Sequence, residues 1–372
     1  MLIGVPREIK SNEFRVGLTP ASVRELVDRG HRVIIETHAG IGIGKADMDY
    51  ISAGAHVAVT AAEVFGQADM IVKVKEPQSV ERAMLRPGQI LFAYLHLAPD
   101  PAQTRDLLDS GAVCIAYETV TSAGKGLPLL APMSEVAGRL SIQAGAHCLE
   151  KTHGGNGMLL GGVPGVESAK VVIIGGGVVG RHAADVAIGM GADVWVLDKS
   201  PEVLRQLWVQ FGRSIRTVYS NQETLQEHVL SADLVIGGVL IPGAAAPKLV
   251  TSEMVSAMHD GSVLVDVSID QGGCFATSRP TTHQDPTYIL DDVVHYCVTN
   301  MPGAVPRTST FALNNATLPY VMSLADQGYR QALADDKHLL NGLNVHQGAL
   351  TIKQVADAQG LAYVPPDQAL QT

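Results

Sequence analysis

Residues 171–198 read VVIIGGGVVGRHAADVAIGMGADVWVLD, and this stretch decides the fold. Four aliphatic residues, Val171–Ile174, predict a buried strand. Gly175-Gly176-Gly177-Val178-Val179-Gly180 then satisfies GxGxxG, and small residues at helical spacing follow over 178–190. A second aliphatic run, Val194–Leu197, ends on Asp198, where a ribose-binding acid belongs. A glycine-rich turn alone is common. Strand, turn, helix, strand and acid in this order predict a dinucleotide-binding βαβ unit and NAD as cofactor. Gly175 permits the tight turn, Gly177 lets the backbone approach a pyrophosphate, and Gly180 lets the helix pack close to the sheet. The helix N-terminus offers unpaired N–H groups to the phosphates. The charge of Asp198 repels a 2′-phosphate and so favours NAD over NADP, an exclusion that Lys199 beside it slightly weakens.

Working outward, a helix is predicted over 201–211, with strands at 215–219, 234–239, 263–267 and 294–298. Six strands make a doubly wound sheet, whose ligands bind outside the carboxyl ends of its strands. That places Val239 and Leu240, then Val267, Ser268, Ile269 and Asp270, then Val298, Thr299, Asn300 and Met301 along the nicotinamide half of a cofactor site.

Before this domain, short β-branched runs at 2–5, 32–36, 70–74, 90–94 and 113–117 alternate with helical segments such as 20–29 and 101–110, the pattern of an α/β fold. A helix from a Ser134 cap to about Lys151 is expected to cross between two domains, and another over 311–326 to cross back. A last helix is predicted over 351–359. The fold class is therefore α/β with two domains: a Rossmann-type doubly wound NAD-binding domain over 134–306, and a discontinuous substrate domain over 1–133 and 307–372.

Composition agrees. The chain has 372 residues, longer than the ~100–200 of one usual domain. At 46% hydrophobic and 17% charged it has material for two cores. A net charge of −10 speaks against general nucleic-acid or acidic-membrane binding. The four cysteines are far apart without metal-ligand spacing and read as thiols of a reducing compartment. The opening MLIGVPREIK lacks a signal-peptide core, and no apolar run reaches the ~18 residues of a membrane helix, so a cytoplasmic location is expected.

An oxidoreductase acting on a carboxylate substrate needs, besides the cofactor, a cation for the carboxylate, a cationic or acidic group that polarises the reacting C=O or C=N, and a general acid/base. Arg15 lies in a loop before the first helix, Lys75 and His96 end strands of the first domain, and Asp270 ends a strand of the second. Singly, each also fits a solvated loop cation, a structural histidine or a turn cap. Their joint placement favours function, because such sites are usually built in clefts between domains.

GVPREIKSNEFRVGLTP, VKVKEP, FAYLHLA, PMSEVAGR, LGGVPGV, the glycine loop, DQGGCF and NMPGAVPRTST occur in an order that resembles the alanine dehydrogenase family from Leu2 to about Leu350. The resemblance implies reversible, NAD-dependent oxidative deamination of L-alanine to pyruvate and ammonia. It implies that Arg15 grips the substrate carboxylate, that Lys75 hydrogen-bonds the carboxylate or keto oxygen, and that His96 is the general acid/base. Asp270 would orient the attacking water or ammonia, and Ser134, Asp198 and Ser220 would contact the cofactor. A homohexamer is also implied.

Two departures stand out. Where family members often carry a basic residue near the adenine, this chain has Val203, with Arg205 close by. Some members pair an acid at the position of Glu118 with a histidine where this chain has Gln327, so no metal is expected. Three other readings fit parts of the pattern: the NAD-binding component of a proton-translocating transhydrogenase, an amino-acid dehydrogenase of different specificity, and a non-catalytic NAD-binding regulator.

Overall fold

A computed structural model describes residues 1–124, 126–239 and 246–371. The chain divides into two compact units, Met1–Met133 with Val305–Thr372, and Ser134–Ala304.

The first unit begins with β1 (Leu2–Val5), β2 (Arg32–Glu36), β3 (His56–Ala58), β4 (Met70–Val72), β5 (Ile90–Ala93) and β6 (Val113–Ala116). All pair in parallel, in the order β6-β5-β4-β1-β2-β3. Between β1 and β2 runs α1 (Pro20–Asp28), which starts on Pro20 because Thr19 caps it, its hydroxyl accepting the Ser22 N–H at 3.3 Å. A long helix, α2 (Ala131–Cys148), leads into the second unit. It begins three residues before the expected cap: Pro132, harmless in a first turn where its missing N–H has no partner to lose, sets the start, and Ser134 lies inside the helix.

The second unit contains β7 (Lys170–Ile174), α3 (Val178–Gly189), β8 (Asp193–Asp198), α4 (Pro201–Phe211), β9 (Arg216–Tyr219), β10 (Leu234–Gly237), β11 (Val263–Asp266), β12 (Thr287–Leu290) and β13 (Val293–Tyr296). The sheet order is β12-β13-β11-β10-β7-β8-β9, parallel except for β12. It reverses direction at β7, flanked by β8 and β10, which is the topological switch point of a doubly wound fold. Seven strands stand where six were expected. The extra one is β12, a short, partly exposed edge strand without an alternating apolar pattern. Strands β10, β11 and β13 also stop two residues or fewer before their predicted ends, so Val239, Val267 and Val298 lie in the loops beyond them. Val172, Ile174, Leu197, Val235, Leu264 and Phe275 form the core on one side of the sheet.

The chain then returns to the first unit through α5 (Pro306–Gln327), which begins on another N-terminal proline, ahead of the predicted residue 311. β14 (Leu343–His346) and β15 (Ala349–Leu350) extend the first sheet beside β6 in antiparallel sense. Together with β3 they give eight strands where five were predicted; all three are four residues or shorter. Polar side chains on the buried face of α5 grip the loop between β1 and α1. Asn314 Oδ1 accepts the Thr19 N–H at 2.9 Å and the Ser22 hydroxyl at 2.6 Å, and Thr310 Oγ1 accepts the Val16 N–H at 3.3 Å. The returning helix thereby fixes the loop that carries Arg15.

Candidate active site

In the second unit the loops after β7, β8, β9, β10, β11 and β13 emerge at one edge of the sheet, because these strands are parallel. Gly175 follows β7 with φ +99°, a conformation that strains residues bearing a Cβ. At Gly180 a Cβ would stand 1.8 Å from the Gly175 carbonyl oxygen, so helix α3 can leave the turn this tightly only with glycine there. Gly177 is different: a Cβ there would meet nothing within 4 Å. Nothing in the folded chain requires a glycine at that point. The space in front of it is what an approaching pyrophosphate would use.

Asp198 braces the loop with both carboxylate oxygens. Its Oδ2 accepts the Gly176 N–H and its Oδ1 the Ser200 N–H, each at 2.7 Å. Val203 packs at the same place, its Cγ1 2.7 Å from where a Cβ on Gly176 would stand. Val203 thus roofs the glycine turn with apolar surface.

The remaining nucleotide-edge residues fall on the same side. Ser220, buried, donates its N–H to the Asp198 carbonyl at 3.0 Å. Ser268 Oγ donates to the Val239 carbonyl at 2.7 Å, joining the loops after β10 and β11. Val267, Ser268, Ile269 and Asp270 form a 3₁₀ turn, and the exposed Asp270 carboxylate accepts the Asn300 N–H at 3.3 Å. Asn300 has φ +56° and follows Val298 and Thr299; Met301 opens the next 3₁₀ turn. Val179 sits in the first turn of α3, and Gly138 of α2 packs so closely that a Cβ there would stand 2.3 Å from the Val179 carbonyl oxygen. Ser134 lies one turn earlier on α2, half-buried. Leu240 lies outside the described residues.

In the first unit the site is made of side chains. Arg15, 2% exposed, is forked by Glu13: Nε donates to Oε1 at 2.7 Å and Nη2 to Oε2 at 2.6 Å. Nη1 lies 2.9 Å from Met133 Sδ. Burial alone would lower the guanidinium's affinity for its proton, but Glu13 more than offsets this and holds the pKa above its ordinary value. Beside it, within reach of its charge, lies Tyr94, in the segment that follows β5. Strands β4 and β5 end at Val72 and Ala93, short of the expected 74 and 94, so Lys75 and His96 each stand three residues beyond a strand rather than at its end. The Tyr94 N–H donates to the Val74 carbonyl at 3.1 Å, so Lys75 follows directly on that contact. Tyr94 stacks on His96 with ring centroids 5.7 Å apart and planes 4° from parallel, and its hydroxyl donates to the Leu129 carbonyl. His96 has φ +49°, and Glu118 holds it there by accepting the His96 N–H at 2.6 Å and the Leu95 N–H at 3.2 Å. The same carboxylate lies 3.8 Å from His96 Nδ1.

Carboxylates also brace the lysine strand. Lys73, fully buried, lies 3.0 Å from Glu8 and 2.8 Å from Glu81, while Glu8 also accepts the Val74 N–H at 2.7 Å. Burial pushes the Glu8 carboxyl up, with Lys73 opposing the rise. Glu76 pairs with Lys10; burial works against its charge, yet Lys75 and Lys10 together hold its carboxyl below the ordinary value. A cleft of about 460 Å³ lined by Arg7, Lys10, Glu13, Arg15 and His38 reaches the arginine but neither Lys75 nor His96.

Tyr94 thus carries the His96 ring on its face, lies within reach of the Arg15 charge and pairs by backbone with the residue before Lys75, while Asp270 stands on the carboxyl edge of the other unit's sheet. Sequence reasoning missed Glu13, Tyr94, Met133 and the bracing role of Glu118. Only Glu13, two residues from Arg15, carries a local signal. Glu118 binds backbone 22 and 23 residues away, and nothing in its neighbourhood announces that.

Family models cover most of the chain: the alanine dehydrogenase/PNT N-terminal domain matches residues 4–137 and the C-terminal domain matches residues 141–353. An alanine dehydrogenase of Halomonas elongata is 60% identical over 98% of this chain and 98% of its own length. One from Methanococcus maripaludis is 55% identical over 100% of both. Among solved structures, an L-alanine dehydrogenase superposes with a TM-score of 0.93 at 53% identity, covering 96% of this chain and 99% of that one. A transhydrogenase from Sinorhizobium meliloti shares the fold, with a TM-score of 0.81 at 24% identity over 95% and 99%.

Proposed function

The chain belongs to the alanine dehydrogenase/PNT family, and from that premise we propose that it is an NAD-dependent L-alanine dehydrogenase. The reaction converts L-alanine, water and NAD⁺ to pyruvate, ammonium, NADH and a proton, and runs in either direction. The observation that carries this reading is the set Arg15, Lys75 and His96 gathered on one unit, with a glycine-turn nucleotide edge ending in Asp270 on the other. Relatives named alanine dehydrogenase match the chain at full length, which favours an enzyme over a regulator.

The glycine turn supports a dinucleotide site: a Cβ at Gly177 would meet nothing within 4 Å, and the open N-terminus of α3 offers N–H groups that a pyrophosphate would take up. Gly175, Gly177, Val179, Gly180, Asp198, Ser220, Val239, Val267, Ser268, Ile269, Asp270, Val298, Thr299, Asn300 and Met301 are the residues that would hold NAD, with Ser134 and Leu240 completing the proposed set. When bound, NAD⁺ takes up the hydride that the substrate's α-carbon loses.

The protein's own side chains do the rest. Arg15 binds the substrate carboxylate, and Glu13 orients the guanidinium so that its donors are set before the substrate arrives. Lys75 donates to the substrate oxygen and draws electron density from the reacting carbon. His96 moves the proton to and from that oxygen and its attacking water; histidine is the side chain whose ordinary pKa lies nearest neutrality. Stacking on Tyr94 and the Glu118 clamp set the ring's direction, so its proton is delivered from a fixed position. Asp270 orients the water or ammonia and favours the cationic iminium that precedes pyruvate.

The same reading makes the enzyme a cytoplasmic homo-oligomer, hexameric by resemblance. Four buried, unbridged cysteines support a reducing compartment. Among the described residues no helix is long and apolar enough to cross a membrane. The test is NADH formation at alkaline pH with a panel of L-amino acids. The highest kcat/KM is expected for L-alanine; no turnover with any member would sink the proposal.

A further inference from the structure

One cluster lies apart from both the nucleotide edge and the groups around Tyr94. Helix α2 ends at Cys148; Glu150 comes two residues later, and a 3₁₀ turn over Lys151–His153 closes on Gly154 at φ +91°. This brings His147, Glu150 and His153 to one exposed spot, their ligand atoms all within 4.8 Å of one another. His147 Nδ1 lies 3.5 Å from one carboxylate oxygen of Glu150, and His153 Nδ1 lies 3.3 Å from the other. The two imidazole centroids are 3.8 Å apart.

An ordinary surface ion pair needs one histidine per carboxylate. Here two rings crowd each other and turn the same nitrogen toward a single carboxylate. The spacing has a simple meaning: with metal–ligand bonds of about 2.1 Å, neighbouring ligand atoms of a tetrahedral site stand about 3.4 Å apart. Both nitrogen–oxygen separations fall close to that. Two nitrogens and one carboxylate suit Zn²⁺ and its late first-row neighbours, whereas Mg²⁺ and Ca²⁺ prefer all-oxygen sites.

The backbone under the cluster is already fixed. The Glu150 N–H donates to the His147 carbonyl at 3.2 Å, and the Glu150 carbonyl accepts from His153 at 2.9 Å and Gly155 at 3.2 Å. A Cβ on Gly155 would stand 2.3 Å from the Cys148 carbonyl oxygen, so the turn lies tight on the helix end. Leu149 and Cys148 anchor it from below, both buried. Little order has to be gained when an ion arrives, which is the main entropic obstacle for a surface site.

Its position separates it from the nucleotide edge. The Asn156 N–H donates to the Gly261 carbonyl at 2.9 Å and the Gly261 N–H to the Asp292 carbonyl at 2.7 Å, and these residues precede β11 and β13. The turn is therefore tied to the amino edge of the parallel strands, opposite the carboxyl edge where the glycine loop stands.

We propose that His147, Glu150 and His153 form a binding site for a divalent late first-row cation, Zn²⁺ by its donor set, that staples the end of α2 to the 3₁₀ turn that follows it. Water would complete the coordination.

Calorimetric titration of the full-length protein with Zn²⁺ alone tests this. One equivalent should bind per chain. His147→Ala and His153→Ala should each weaken it at least tenfold, and Glu150→Gln should weaken it less. His56→Ala, which removes a surface histidine lying 4.0 Å from a single glutamate, should leave it unchanged. With Co²⁺ as the probe, the visible bands of a low-coordinate site should appear in the wild type and vanish in the His147→Ala/His153→Ala protein. Equal Zn²⁺ affinity in wild type and double variant would overturn the site, as would a wild type that binds no Zn²⁺ at micromolar concentration. Every substituted side chain is solvent-exposed, so each variant should fold.

Discussion

The two units build their functional groups by opposite means. In the second unit the working surface is mostly backbone: a glycine turn, the N-terminus of α3, and loops at the carboxyl ends of parallel strands. In the first unit it is side chains, each braced by a carboxylate: Glu13 on Arg15, Glu118 on the backbone of His96, Glu8 on Lys73 and Val74, and Glu76 beside Lys75. A backbone surface is damaged by adding atoms. A braced side-chain surface is damaged by removing them, because a charged or hydrogen-bonding partner is left without its carboxylate.

The sharpest break of the side-chain half is His96→Ala. Loss of a positioned acid/base should lower kcat by about 10³-fold. NADH binding, followed by fluorescence, should remain within twofold, since His96 stands on the unit that does not carry the glycine turn. A variant that keeps its turnover removes His96 from the mechanism and leaves Lys75 as the proton carrier.

Glu13→Gln is next in size and tests the bracing itself. The substitution keeps the shape but removes the charge facing a guanidinium that is 2% exposed. Breaking a buried pair from one side costs about 3 kcal/mol of stability. With Arg15 no longer held in a fork, KM for L-alanine should rise at least tenfold while kcat changes less. An unchanged KM would show that Glu13 contributes to stability without setting the arginine.

The same contrast explains what could be read from the sequence. The nucleotide unit was legible because its geometry is local: strand, turn and helix are neighbours along the chain, and φ +99° at Gly175 or a 1.8 Å clash at Gly180 is a demand that only glycine meets. Arg15, Lys75 and His96 were recognised as residue types at strand ends and by resemblance. Their relation to Tyr94 was not legible, for it depends on which strands become neighbours. Nor was the part played by α5, whose Asn314 reaches back 295 residues to hold Thr19. The missed strands β3, β12, β14 and β15 are two to four residues long and lie at or near sheet edges, where pairing partners rather than apolar periodicity specify a strand. Ser134 was misjudged as a cap because a serine before an apolar run is a good signal, but Pro132 is a stronger one for the start of that helix.

For the backbone half, the informative substitution is Gly177→Ala. The new methyl meets nothing in the folded chain, so the melting temperature should move by no more than about 2 °C, while NADH affinity should fall about tenfold, equivalent to ~1.4 kcal/mol. Gly180→Ala is the control for the opposite outcome, destabilising the fold because its methyl meets a carbonyl oxygen. If Gly177→Ala binds NADH as tightly as the wild type, the open space in front of the turn is not where the pyrophosphate lies.

The smallest effect concerns Glu76, and it separates electrostatic bracing from simple packing. Its carboxyl is held below the ordinary value of 4.5: burial raises it, and Lys75 and Lys10 more than reverse that. A carboxyl whose folded pKa is depressed adds stability that is fully present above the unfolded value and disappears as pH falls through the folded one. Glu76→Gln should therefore cost about 1 kcal/mol at pH 7, measured by urea unfolding, and progressively less as the pH is lowered below 4.5. A lysine held by neighbouring carboxylates predicts that convergence. If the difference stays constant between neutral and acidic pH, Glu76 contributes through shape and hydrogen bonding, and the charge pattern around Lys75 is set by Lys10 and the buried Glu8–Lys73–Glu81 cluster instead.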